Sequence, residues 1–489
     1  MRARVADVPL SHRGMLLTIA LSIFLAITSC GSRGGGSTGP LSPESNATIT
    51  VSGTNWGVGT QYIGVNEGDQ YFNINDLKDL GVNTYRIYGG MSRWEAQDDD
   101  GIFGWPTIAE IKADPNVIHW AWWDNIMTNP PRGSDYWWTG ASGVWQGNAR
   151  ILFQALRDNG IKPVVVLRNV DDKGNPAWAN TQLNPPLSPA AQAEWWEHVF
   201  ATVYWFNVRN DYRVDDWEIH NEPDNTAQGW RGTQADYIAF AHLTADAIRY
   251  VYSKYLPGRT PHIYAPGTVT GSTWPQALMQ QAPGDFDSVD IHDYDNDITA
   301  YVTRVRGWMS SSAFATAPLW LSEWSTYQEG QYANASFSVS NIVRNLIIGC
   351  QPGNTHVDGS HLFSLYDWGT GSYGLIGHGR VPRSGYYAMR LAIRGLQGGR
   401  PTYQSASSNN DITAITTKNA TGHYWVLLVN TSNTAISVTL NLSALLTTGA
   451  GTMWEFDGIH YDAEVGNAAV SDGKLKLRLN GEAAYLLEF

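Results

Sequence analysis

Two glutamates in this chain keep the company that acid–base chemistry needs. Glu222 lies in WEIHNEPDN (217–225), where an apolar, strand-like run stops at Asn221, Glu222 and Pro223. A proline disfavours the α region for the residue before it, so Pro223 keeps the Glu222 carboxylate at the strand end and delays the next helix. Glu323 lies in WLSEWSTY (320–327), at the end of a second such run. A single glutamate in such a place is usually solvated or salt-bridged. A pair is different: two carboxyl groups whose surroundings push their pKa values apart can serve as acid and as base or nucleophile at one pH. Candidates for those surroundings are Arg86 and Tyr88 in TYRIYG (84–89), His220 and Asn221 beside Glu222, and His292 and Tyr294 in SVDIHDY (288–294). Trp324 beside Glu323, and Tyr366 and Trp368 in HLFSLYDW (361–368), complete the set.

Each of these residues ends a short apolar run, and the runs recur. YIGVN (62–66), TYRIYG, PVVVL (163–167), DWEIH (216–220), HIYAP (262–266), SVDIHDY, PLWLSEW (318–324) and HLFSLYDW are eight strand candidates with helical segments between them. Ser188 and Pro189 form a cap and first-turn proline ahead of EWWEHVFATVYWF (194–206). Thr233 to Asp236 open another helix, with Tyr237, Phe240, Ala241, Thr244, Ile248 and Val251 on one face. Alternating strands and helices predict an α/β fold, a (β/α)8 TIM barrel with right-handed crossovers over residues 47–395. Active residues of such barrels sit at the C-terminal strand ends, so Glu222 and Glu323 would face each other across the mouth from the fourth and seventh strands. From residue 396 the pattern becomes short runs such as YWVLLVN, ISVTLNLS and AAYLLEF between Asn, Gly, Ser and Thr, which predicts an antiparallel β-sandwich over 396–489. ATITVSG (47–53) can add a strand to that sandwich. The stretch 89–145 is too long for an ordinary βα loop and holds eight of the 22 tryptophans. It reads as a lid or wall with aromatic subsites, some of whose tryptophans fix it to the barrel.

WEIHNEPDN together with WLSEWSTY resembles the catalytic pair of the clan A glycoside hydrolases, barrels that cleave β-glycosidic bonds with retention of configuration. Family 39 is the most similar and family 5 the second; LRN (167–169) stands where family 5 usually has a histidine. The resemblance implies Glu222 as acid/base, Glu323 as nucleophile and Asn221 as the amide for the sugar's 2-hydroxyl. It implies that Tyr294, in the pattern His292-x-Tyr294, donates to the nucleophile, that Arg86 holds it ionised, and that Trp368 floors the sugar subsite. Trp324, Tyr366 and His220 would line or support that site. A retaining pair should be about 5–5.5 Å apart. The expected activity is double displacement on a poly- or oligosaccharide, in an endo mode, with no cofactor and no metal. Exo action and transglycosylation are the alternatives on the same fold, and a catalytically silent carbohydrate binder is the alternative outside enzymology.

The composition narrows the partners. The chain of 489 residues carries a formal charge of −13 and shows no basic stripe, which argues against nucleic acid. Its 22 Trp and 24 Tyr favour a carbohydrate ligand, because flat amphipathic rings suit the apolar faces of sugars. At the start, Arg2, Arg4 and Arg13 precede the apolar run MLLTIALSIFLAI (15–27) and then Cys30. This resembles a bacterial lipobox: residues 1–29 as signal peptide, Cys30 as the lipidated residue, 30–46 as a Gly/Ser-rich tether. The expected place is the cell envelope or the exterior, with the lipid as the only membrane contact and the protein a monomer. DIHDYDND (290–297) lacks the sixth-position glycine and terminal glutamate of an EF-hand, so it is not read as a calcium loop.

Overall fold

The computed structural model describes residues 45–68, 72–94, 105–128, 149–168, 185–226, 230–326, 336–367, 373–377 and 379–489. Cys30, most of the tether, Trp368 and Trp137, Trp138 and Trp145 lie outside the described residues. Residues 44–489 form one compact unit.

The first strand, β1 (Ser45–Val58), does not enter the barrel. The barrel is β2 (Tyr62–Asn66), β3 (Thr84–Tyr88), β4 (Lys162–Leu167), β5 (Asp216–Ile219), β6 (His262–Thr268), β7 (Ser288–Asp293), β8 (Leu319–Trp324) and β9 (Gly359–Leu362). All are parallel, in sequence order, and β9 closes onto β2. Both faces of these strands are covered, which is why they read as near-continuous apolar runs. Helix starts follow the sequence signals. Ser188 caps the helix Pro189–Tyr204, and Thr233 and Asp236 form a reciprocal capping box on Gln234–Tyr255. Past the helix Ala149–Asp158, Gly160 takes φ +66°, the left-handed turn that releases the chain into β4.

The last barrel strand differs from its expected span. β9 ends at Leu362, and the chain beyond peels away: the amides of Leu375 and Ile376 donate to the carbonyls of Ser364 and Leu365. The backbone of residues 364–366 thus pairs with 375–376, although the Phe363 amide still donates to the Trp324 carbonyl of β8 and the Leu365 amide to the Asn66 carbonyl of β2.

The remaining strands are β10 (Pro401–Ser407), β11 (Ile412–Lys418), β12 (Tyr424–Asn430), β13 (Ile436–Asn441), β14 (Gly449–Phe456), β15 (Tyr461–Val470), β16 (Lys474–Leu479) and β17 (Ala483–Glu488). With β1 they make one nine-stranded sheet in the order β15-β14-β17-β12-β11-β10-β1-β13-β16. Every pairing is antiparallel except β1 with β13, so the sandwich is mostly antiparallel. β12 and β17 show why YWVLLVN and AAYLLEF are so uniformly apolar. By the two-residue period of a strand, Val426, Leu428, Tyr485 and Leu487 fill the sandwich core. Leu427, Val429, Ala484 and Leu486 belong to the barrel's core instead, with the helix Ser384–Leu396. The two domains share a hydrophobic interior.

Within 89–145, the described tryptophans mostly act as anchors. Trp94 packs edge-on against Phe206 at 5.3 Å, Trp120 stacks on Tyr204 at 5.1 Å and Trp123 meets His198 at 5.5 Å.

Candidate active site

At the barrel mouth, β5 and β8 deliver the two glutamates by different local distortions. β5 ends at Ile219, and the next residues leave regular geometry: His220 has φ +65° and Glu222 φ +44°. Such values cost a non-glycine residue free energy and persist where surrounding contacts impose them, often at functional sites. Here the Glu222 amide donates to the Gly267 carbonyl at 2.8 Å. β8 is bulged against β7: Ile291 faces Leu321, but His292 faces Glu323. A bulge re-aims a side chain, and this one turns Glu323 into the cleft.

The carboxylates meet there. A carboxylate oxygen of Glu222, one of Glu323 and a ring nitrogen of His292 all lie within 4.8 Å of one another. Glu222 Oε1 faces His292 Nδ1 at 3.0 Å, and Glu222 Oε2 accepts from Asn225 Nδ2 at 3.0 Å. Glu323 has stronger company. Its Oε2 accepts from Arg86 Nη1 at 2.9 Å and from the Tyr88 hydroxyl at 2.6 Å, and its Oε1 accepts a short hydrogen bond from Tyr294. Burial pushes the Glu323 carboxyl up, but the charges of His292 and Arg86 and the two tyrosine hydroxyls outweigh it, leaving it below the usual range. Burial pulls His292 down, yet the Glu323 charge and the Glu222 hydrogen bond raise it to about 9. Both tyrosines are raised, by burial first, so they stay hydroxyl donors.

Arg86 is the hub. Its Nε and Nη2 clasp both oxygens of Glu218 at 2.6 Å each, its Nη1 also reaches Asn66 Oδ1 at 2.7 Å, and its Nη2 reaches Asn221 Oδ1 at 2.9 Å. Asn221 therefore has its oxygen committed, and its amide hydrogens are what it presents to a ligand. Arg86 Nη2 also lies 3.4 Å from His292 Nε2, but its two hydrogens already serve Glu218 and Asn221.

Arg86, Asn221, Glu222, His292, Tyr294 and Glu323 thus stand together. Two expected residues stand elsewhere, and His220 supports the site from behind. Trp324 follows Glu323, turns to the opposite side of β8 and is buried in the main core. Tyr366 leaves with the peeled segment, and its hydroxyl reaches Asp76 Oδ2 at 2.8 Å and the Asn73 amide at 3.2 Å, at the start of the helix Ile74–Leu80. His220 is fully buried behind the site, edge-on to Trp230, with Nδ1 2.9 Å from the Asn221 carbonyl. Sequence reasoning missed Glu218 and Asn66 as site members. The signal for Glu218 was an acidic residue inside an apolar strand, two positions before the strand-end histidine.

Besides Glu455–Asp457–His460 in the sandwich, two sets of side chains among the described residues have the composition of a divalent-metal site, Glu222–His292–Glu323 and Glu218–Asp290–His292. In each of these two, one carboxylate is already paired with the Arg86 guanidinium, Glu323 in the first and Glu218 in the second.

No family model matches the chain, and no curated protein matches it in sequence. Solved structures do match it in shape. A glycoside hydrolase family 30 subfamily 8 xylanase from Clostridium acetobutylicum is 13% identical, with a TM-score of 0.63 over 91% of this chain and 99% of that one. A glucosidase from Croceicoccus marinus is 12% identical, with a TM-score of 0.62 over 91% and 99%. A family 39 β-xylosidase from Caulobacter crescentus is 16% identical, with a TM-score of 0.59 over 90% and 99%. The fold is that of clan A glycoside hydrolases. It includes the sandwich as well as the barrel, since nearly the whole length of each of these chains is covered.

Proposed function

We propose that the protein is a retaining β-glycoside hydrolase that acts on a poly- or oligosaccharide. The observation that carries this reading is the separation of Glu222 and Glu323, whose nearest oxygens are within 4.8 Å. That supports direct attack by a carboxylate, because an inverting pair stands about 6.5–9.5 Å apart to admit water. Glu323, kept ionised by Arg86, Tyr88 and Tyr294, attacks the anomeric carbon and forms a glycosyl ester. The bond to the leaving sugar breaks as its oxygen takes the proton held between Glu222 Oε1 and His292 Nδ1. Once the ester has removed the Glu323 charge, Glu222 accepts a proton from water, which attacks the same carbon and restores free Glu323. Asn221 offers its amide hydrogens to the sugar hydroxyl beside the reacting carbon.

The neighbours' titles name xylanase, xylosidase, glucosidase and glucanase activities, so β-linked xylans and glucans come first as substrates. We favour endo action. The test is reducing-end release by residues 44–489 across such glycans beside Glu323→Ala, with the anomer of the first-formed product read by NMR. Release of the β-anomer, lost at least about 10³-fold in the variant, is the expected result. Equal release from both proteins, or an α-anomer formed first, would overturn it.

A further inference from the structure

Beneath the reacting pair lies a carboxyl group that the proposed reaction does not use. Asp290 is on β7, two residues before His292 on the same face, and is fully buried inside the barrel. One oxygen from it, one from Glu218 and a ring nitrogen of His292 lie within 4.8 Å of one another. Asp290 Oδ1 accepts the Ser322 amide at 3.3 Å, and Oδ2 has no hydrogen-bond partner among the described residues. The backbone of Gly267 runs directly alongside. A Cβ there would stand 2.7 Å from Glu218 Oε1 and 3.3 Å from Asp290 Oδ2, and Gly267 itself has φ +51°. The two carboxyl groups are held close by a chain that admits no side chain at that point.

We propose that Asp290 is a positioning residue that works as a neutral acid: it keeps one proton so that Glu218 alone is ionised and holds Arg86 under the reacting pair. This rests on the glycosidase reading only for what the pair does. The charges carry the argument. Arg86 and a protonated His292 supply two positive charges, and Glu218, Glu222 and Glu323 already offer three carboxylates to them. Both oxygens of Glu218 are taken by Arg86, whereas among the described residues no cation is hydrogen-bonded to Asp290, whose one donor is the Ser322 amide. Ionising Asp290 as well would place a second uncompensated negative charge in a water-excluded interior, beside a carboxylate of the same sign. The titratable groups around Asp290 are Arg86 on β3, Glu218 on β5, Tyr264 on β6, His292 on β7 and Tyr237 on the helix Gln234–Tyr255. Both tyrosines are driven up by burial and stay neutral. Burial first and the Glu218 charge second push Asp290 itself up to about 8. When it loses its proton, Glu218 and His292 meet a new negative charge, and the clasp that sets Arg86 against Glu323 loosens.

The test is an infrared pH titration of the whole protein, wild type against Asp290→Asn, with kcat/KM followed over the same range. The expected wild-type spectrum at pH 6 contains a protonated-carboxyl C=O band that disappears near pH 8 and is missing in the variant. The expected rate profile of the variant, relative to its own maximum, has its alkaline limb displaced from about 8 toward the His292 value of about 9. A residue that merely packs would leave that limb in place. No such band in the wild type, or an unmoved limb in a folded variant, overturns the proposal. The infrared result needs no substrate, so it stands even if every glycan assayed fails and the glycosidase reading falls.

Discussion

At the scale of single residues, the two glutamates have unlike surroundings, as the two tasks of the proposed reaction require. Glu323 receives a guanidinium and two phenol hydroxyls; Glu222 receives one imidazole and one amide. The asymmetry predicts what loss of a donor does. Tyr294→Phe removes one hydrogen bond to the Glu323 anion, of the charge-assisted kind that contributes about 1.5–3 kcal/mol. The Tyr294 bond lowers the Glu323 pKa, so without it Glu323 protonates at a higher pH. The acid limb of kcat/KM in Tyr294→Phe should therefore move upward while its alkaline limb stays, as a pH–rate series would read directly. Glu222 and Glu323 were legible in the sequence because two strand ends carried acidic residues beside Asn, Arg, His and Tyr. Trp324 was misplaced for a simple reason: neighbours on a strand point to opposite faces, and only a bulge that leaves no mark in the sequence decides which of Ser322, Glu323 and Trp324 enters the cleft.

At the scale of elements, the eight barrel strands could be read because strands buried on both faces are apolar throughout, and the helices because their caps are local. What could not be read depends on partners distant in sequence. HLFSLYDW looks like one long strand, yet its second half adds backbone partners in residues 375–376 to the one it keeps in β2, and the Tyr366 hydroxyl goes to Asp76 and the Asn73 amide. The junction of β8 and β9 also shows how a loop residue closes the barrel. The Asp358 carbonyl accepts the amides of Gln61 and Tyr62, and its side chain accepts the Leu319 amide at 2.9 Å and Arg306 Nη2 at 2.8 Å. Burial raises this carboxyl, but His356, the Leu319 amide and Arg306 together bring it down to about 2. A folded-state pKa below the unfolded value of about 3.9 means stabilisation that is complete above that pH and lost as pH falls through about 2. Asp358→Asn should thus be less stable than wild type at pH 6, and the gap should close between about pH 4 and pH 2 in urea titrations.

At the scale of the whole molecule, the sandwich is structural to the barrel. Leu427 and Leu486 are sandwich residues by sequence and barrel-core residues by contact, and Asp462 of β15 accepts from Arg390 at 2.7 Å and Arg394 at 2.9 Å on the helix Ser384–Leu396. Leu486→Ala should cost about 2–5 kcal/mol, as deletions in tight cores do, and the variant should still melt in one calorimetric transition. Two separated transitions would show that the shared interior does not couple the domains. The sequence displayed the sandwich as a change of pattern after residue 396, but the sharing was hidden, since an apolar residue does not announce which core it enters. The placement of β1 has a consequence in time. Its neighbours are β10 and β13, and β10 begins about 340 residues after β1 ends. At synthesis rates of about 5–20 residues per second, Ala47, Ile49 and Val51 leave the ribosome roughly 20–70 s before anything exists to cover them. A strand that is flanked on both sides in the finished sheet is thus the first of the nine made and among the last buried, and both of its edges stay open through that interval.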